Sequence, residues 1–155
     1  MTTVKDIITD AAVLSDWSIE IDPCKQGKLT QEIILNLKAT MREHKLVYLT
    51  APQIGYNRRI FCLRFGENDY RTFVNPAINN CSGMTMVRET CVSIENKEYV
   101  IPRFSKVEFY FTTPLGKVEH GTLAGVAAQV FQHALDHLNG MLVSDIGLEI
   151  DEQFD

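Results

Sequence analysis

The chain has 155 residues, 45% of them hydrophobic and 23% charged, an ordinary balance for a single globular domain spanning 1–155. A net charge of −5 argues against nucleic acid as the main partner. No window is apolar enough for a membrane span, and the opening MTTVKDIITDAAVLSDW carries acids without a basic n-region, so neither a secretory nor a transit peptide is expected, and the expected location is cytoplasmic.

The first thirty residues show weak periodicity; Trp17 and Ile19 are expected to pack inward, and PCKQGK (23–28) reads as a turn. Thr30 is placed as the N-cap of a helix that fades near His44, with Ile33, Ile34, Leu37 and Met41 on one face. LVYLT (46–50) is extended and APQIGYN (51–57) is a loop. RIFCLRF (59–65) and YRTFVNP (70–76) read as strands joined by GEND (66–69), the second ended by Asn75-Pro76. MTMVRE (84–89), KEYVIPRF (97–104) and KVEFYFTT (106–113) are further strands; Pro102 marks an edge or bulge, and Val107, Phe109 and Phe111 form a buried face. After a TPLGK turn, the spacing predicts a helix from about Thr122 to Leu138, stopped by Asn139-Gly140. Val126, Val130, His133 and His137 fall on one inward stripe of it, and the acidic tail SDIGLEIDEQFD is expected to fray. Helix, many strands, then helix predicts an α+β fold, with mostly antiparallel sheets packed around the HxxxH helix.

His133 and His137 are one helical turn apart on the same face. Two such imidazoles can reach one ion at roughly 2.0–2.1 Å each; a pair of hydrogen-bonded core histidines has the same spacing. A third ligand is available in Cys91, within ETCVS, where Glu89, Thr90 and Ser93 are polar flanks. Spacing alone does not join Cys91 to the histidines, so ligand and inert thiol both stay open. The remaining cysteines, Cys24, Cys62 and Cys81, read as reduced small hydrophobes.

Three segments together resemble the motifs of the peptide deformylases. QHALDHLNG is similar to QHExDHLxG, matching at Gln132, His133, Asp136, His137, Leu138 and Gly140. ETCVS resembles EGCLS at Glu89, Cys91 and Ser93, and YLTAPQIG resembles GLAAPQIG at Leu49 and at Ala51 to Gly55. FVNP (73–76) and IPRFSKV (101–107) also resemble family segments, and the likeness covers roughly 29–145. It implies a metal-dependent hydrolase that removes the formyl group from N-formylmethionyl peptides. Cys91, His133 and His137 would hold one divalent ion, Fe2+ foremost, with Zn2+, Ni2+ or Co2+ as substitutes, leaving a fourth position for water. Gln53 and the backbone N–H of Val92 would stabilise the oxygen that becomes negative. Val47, Tyr48, Glu89, Thr90, Gln129 and Val130 would line the peptide groove. Arg103 and Asp136 would brace the metal helix from behind.

Several positions depart from the family. Ala134 stands where the family has a glutamate that takes a proton from the attacking water and delivers it to the leaving amine. Tyr48, Leu46 and Thr90 each replace a glycine, and Gln129 adds a polar group to an apolar pocket. The expectation is therefore a deformylase with weak or no activity as written, or alternatively a metal-holding pseudo-enzyme that binds peptide N-termini. The chain also lacks the long C-terminal helix of many members and resembles their short forms.

Overall fold

A computed structural model describes residues 2–150. The elements are α1 (Ala11–Leu14), α2 (Gly27–His44), β1 (Tyr48–Thr50), a 3-10 turn (Ala51–Ile54), β2 (Ile60–Gly66), β3 (Asp69–Cys91), β4 (Ile94–Thr112), β5 (Val118–Ala124), α3 (Gly125–Leu138), α4 (Val143–Ile146) and β6 (Leu148–Glu149). The sheet runs β1-β2-β3-β4-β5, with β6 added on β4, and every pairing is antiparallel. The α+β expectation is met.

Alternation along β2 sorts the core into two layers. Ile60 and Cys62 join Ile33, Leu37 and Met41 of α2. Phe61 and Leu63 join Phe73, Val107, Phe109 and the α3 residues Ala128, Phe131 and Leu138. Phe131 anchors α3: its ring centroid is 4.4 Å from that of Phe109 and 5.1 Å from that of Phe61. Truncating such a side chain costs about 3–5 kcal/mol.

Several expectations fail for physical reasons. Asn75-Pro76 does not end a strand: β3 runs 23 residues, and a register shift between Val74 and Ala77 absorbs the proline and the positive φ of Asn75. The segments split around Ser105 are one strand, β4, and Pro102 lies where neither β5 nor β6 pairs with it, a local edge. Thr122 to Ala124 are strand, pairing with Glu108 to Lys106, so the last helix starts only at Gly125. Val126 is consequently off the inward stripe, 74% exposed. Helix α2 starts inside the expected turn, with Gln26 as its N-cap; Thr30 is interior and its hydroxyl donates to the Gln26 carbonyl. Trp17 and Ile19 are 65% and 54% exposed; Trp17 lies under the Arg59 guanidinium instead of in the core. Cys24 is exposed too. The tail folds as α4 and β6 up to Glu149, while Asp151 to Asp155 lie outside the described residues.

Candidate metal centre and peptide groove

Two devices fix the end of α3, and with it the histidines. Arg59 donates to the Leu138 carbonyl at 2.9 Å and to Asn139 Oδ1 at 2.8 Å, satisfying terminal acceptors. Gly140 turns the chain at φ +71, and a Cβ there would lie 2.4 Å from the Ser15 carbonyl oxygen, so only glycine fits. Midway along, Gln132 brackets β4: it accepts from the Phe104 N–H and donates to the Phe104 carbonyl.

Cys91 closes β3 at the tip of the β3–β4 hairpin, whose two turn residues are Val92 and Ser93. The hairpin carries its sulfur to the HxxxH face of α3. The ligand atoms of Cys91, His133 and His137 all lie within 4.8 Å of one another, and all three residues are buried. Cys91 Sγ meets His137 Nε2 at 3.4 Å. His133 Nδ1 donates to Glu89 Oε1 at 2.9 Å, which turns Nε2 inward. His133 Nε2 and His137 Nδ1 are buried with no protein partner. Of these, His133 Nε2 turns toward the Cys91 sulfur and His137 Nε2, a donor set that suits an ion.

Electrostatics agree with that donor set. Burial alone would raise the Cys91 thiol, but the two imidazoles beside it outweigh burial and bring it down to about 5. Burial would likewise raise the Glu89 carboxyl, yet Arg103 and then His133 hold it at about 2. Arg103 donates twice to Glu89, at 2.9 and 2.7 Å, and once to Asp136. Glu89 thus joins Arg103 and Asp136 in the brace; its carboxylate is engaged behind His133.

The six expected groove residues Val47, Tyr48, Glu89, Thr90, Gln129 and Val130 all line one pocket of about 160 Å³, with His133 beside them. Gln129 is tied to the Arg88 carbonyl at 3.3 Å. A wider groove of about 1440 Å³ adjoins this pocket, shares Val47, Tyr48 and Thr90, and has Cys91 and Val92 on its wall. Gln53 is oriented by Thr50, whose N–H and hydroxyl both donate to its Oε1, leaving Nε2 to donate to Ser93 Oγ at 3.1 Å and to face Cys91 Sγ at 4.0 Å. Ala134 is fully buried between the histidines.

Two partners escaped the sequence reading. Ser93 was only a polar flank there, and it receives the Gln53 amide. Tyr48 was a groove-lining residue; its hydroxyl meets Cys91 Sγ at 3.2 Å, and its ring lies 4.6 Å from His133 and 6.0 Å from His137, centroid to centroid. Burial and then the Cys91 sulfur hold its phenol well above the ordinary tyrosine range, with Gln53 and the Val92 N–H pulling the other way. The bulk at position 48 was the available signal.

Three buried side chains, with Cys91 on the wall of an open groove, make a donor set of the kind that holds a catalytic metal. The sequence profile of the polypeptide deformylase family matches residues 4–150. The chain belongs to that family, whose members are metal-dependent hydrolases that remove formyl groups. It is 34% identical over 127 residues to a peptide deformylase of Halothermothrix orenii, covering 81% of this chain and 82% of that one. Among solved structures it is similar to a peptide deformylase from Legionella pneumophila, with 25% identity, a TM-score of 0.86, and coverage of 97% and 88%. For the Thermotoga maritima enzyme the values are 28%, 0.82, 94% and 97%.

Proposed function

We propose that this chain is a deformylase-type hydrolase for formylated N-termini of nascent peptides, N-formylmethionyl peptides above all, acting in the cytoplasm during protein biosynthesis. Hydrolysis is impaired as the chain stands, because Ala134 occupies the place of the proton-moving carboxylate. The observation that carries this is the convergence of Cys91, His133 and His137 beneath a groove, with the Gln53 amide 4.0 Å from the sulfur. The ion assigned is a single divalent one, iron(II) ahead of zinc, nickel and cobalt; thiolate and imidazole suit all of them. Bound there, it supplies Lewis acidity toward a carbonyl and activates water at neutral pH.

The rest falls to side chains. Gln53, held by Thr50, and the Val92 N–H at the hairpin tip are the donors for an oxygen gaining negative charge. Glu89 and Arg103 fix the orientation of His133. At position 134 no group accepts a proton or returns it to the leaving amine, a loss of about 10² to 10⁴ in rate. Asp136 is no replacement, since it is committed to Arg103.

One observation favours a second reading, a metal-holding pseudo-enzyme that captures peptide N-termini: Tyr48 places its hydroxyl against the ligand sulfur. The test is metal content and formyl-Met-peptide cleavage by the unchanged chain, Ala134→Glu, Tyr48→Gly, and the double variant. Near-stoichiometric metal is expected in each, with turnover in the double variant about 10² to 10⁴ above Tyr48→Gly. Metal-loaded protein without a gain in any form rejects the hydrolase and leaves the pseudo-enzyme.

A further inference from the structure

Tyr48 belongs to β1, the edge strand of the sheet, and yet only 8% of its side chain surface is exposed. Its ring is spent on the two histidines and its hydroxyl on the cysteine. The same sulfur is faced by the Gln53 Nε2 at 4.0 Å, and Val92 is the next residue along the hairpin. These are the two donors assigned above to a substrate's carbonyl oxygen. A phenol oxygen against that sulfur stands beside both donors, in the space a formyl oxygen would enter.

The helix opposite has a matching feature. Ala134 and Tyr48 belong to one buried apolar cluster, and Ala134 has no exposed surface. A larger side chain at 134 would compete for space with the members of that cluster, Tyr48 among them. The two departures fit each other: a small residue on α3 admits a large one on β1. The wide groove next to the ring gives it a place to move into.

We propose that Tyr48 is a built-in occupant of the carbonyl-oxygen site, held by Cys91 and packed against His133, which a peptide N-terminus must displace to bind. This rests on the peptide-groove reading above. Affinity is then lowered by the fraction of molecules in which the side chain is swung out. Tyr48 acts on which peptides enter, and how tightly, rather than on the chemistry.

The test uses metal-loaded protein with Ala134 retained, so that hydrolysis is slow, and a fluorescent formyl-Met-Ala-Ser peptide followed by anisotropy. Tyr48→Gly is expected to bind about tenfold or more tightly than the unchanged chain, with Tyr48→Phe, which keeps the ring and loses the hydroxyl, in between. Equal affinity in all three overturns the proposal, as does absence of binding by every form. Because Tyr48→Gly also removes a core side chain, the unchanged chain supplies a second measurement. With ring-13C labelling of its five tyrosines, saturating peptide should shift Tyr48 most, and an unmoved Tyr48 with peptide bound overturns the proposal. The outcomes separate from those of the hydrolase test. Tighter binding without cleavage in any form keeps the occupant and rejects the hydrolase. Cleavage by the double variant with equal binding throughout does the reverse.

Discussion

Helices α2 and α3 pack against opposite faces of the same strand, and they bury different things. Helix α2 presents Ile33, Leu37 and Met41 to Ile60, Cys62 and Val74. Its buried polar side chains all have partners: Thr30 donates to the Gln26 carbonyl, Asn36 accepts from the Thr3 N–H, and Thr40 accepts from the Lys5 N–H. Helix α3 buries Gln132, His133 and His137 alongside Phe131 and Leu138. Gln132 is satisfied, but each histidine keeps one ring nitrogen without a protein partner. An unpartnered buried polar atom costs about 1–3 kcal/mol. The open His133 nitrogen faces Cys91 and His137, where an ion would complete it, and this difference between the helices supports the metal centre.

The largest effect expected on that contrast comes from removing a ligand. Cys91→Ser, His133→Ala and His137→Ala should each reduce bound metal from near one per chain to a trace, by elemental analysis after gel filtration. Leu37→Ala on the α2 side should cost about 2–5 kcal/mol in stability and leave the metal content of the folded fraction unchanged. Full metal retention by Cys91→Ser would move the centre elsewhere.

Next in size is the brace behind α3. Arg103→Met takes the guanidinium away from the buried Glu89 and the half-buried Asp136, and breaking such a buried pair costs about 3–5 kcal/mol. Urea unfolding measures this. A chelator competition should show metal affinity lower by about 10- to 100-fold, because His133 loses its fixed orientation. Arg103→Lys should recover little, since a point charge cannot reproduce the double contact with Glu89 and also reach Asp136. Smaller again is Gln132→Leu, which strands the Phe104 N–H and carbonyl at about 1–3 kcal/mol. Retained stability there would mean that β4 holds α3 without the bracket.

How much of this could be read from the chain depended on the range of the interactions. The two long helices were legible because their apolar spacing is local, as at Ile33, Leu37 and Met41. The trio of Cys91, His133 and His137 was legible through motif resemblance, whereas spacing could not join residues 42 apart; the β3–β4 hairpin does that. Strand lengths were not legible at Asn75-Pro76, because a bulge paired across strands overrides a local breaker. Thr122 and Leu123 were misplaced in the helix because their strand partners, Glu108 and Val107, are distant in sequence. The position of the Tyr48 hydroxyl was hidden for the same reason: three elements create its surroundings.

The smallest effect lies on the α2 face, at Cys62. Burial there pushes the thiol from the ordinary 9.0 up to about 12, against a weaker pull from Lys38 and Arg42. The folded chain therefore holds this proton more tightly than the unfolded chain does. That contribution to stability is intact below pH 9 and is lost as pH rises through 9 toward 12. Relative to Cys62→Ala, the unchanged protein should lose ground in urea midpoint between pH 8 and pH 10.5, and the two curves should run parallel below pH 8. A Cys62 so enclosed should also resist a thiol reagent in the native state, while the exposed Cys24 reacts at once. Since Cys62 faces α2, its replacement should leave metal content untouched, the opposite of what is expected at Cys91. A change in metal content on Cys62→Ala would break the separation between the two faces.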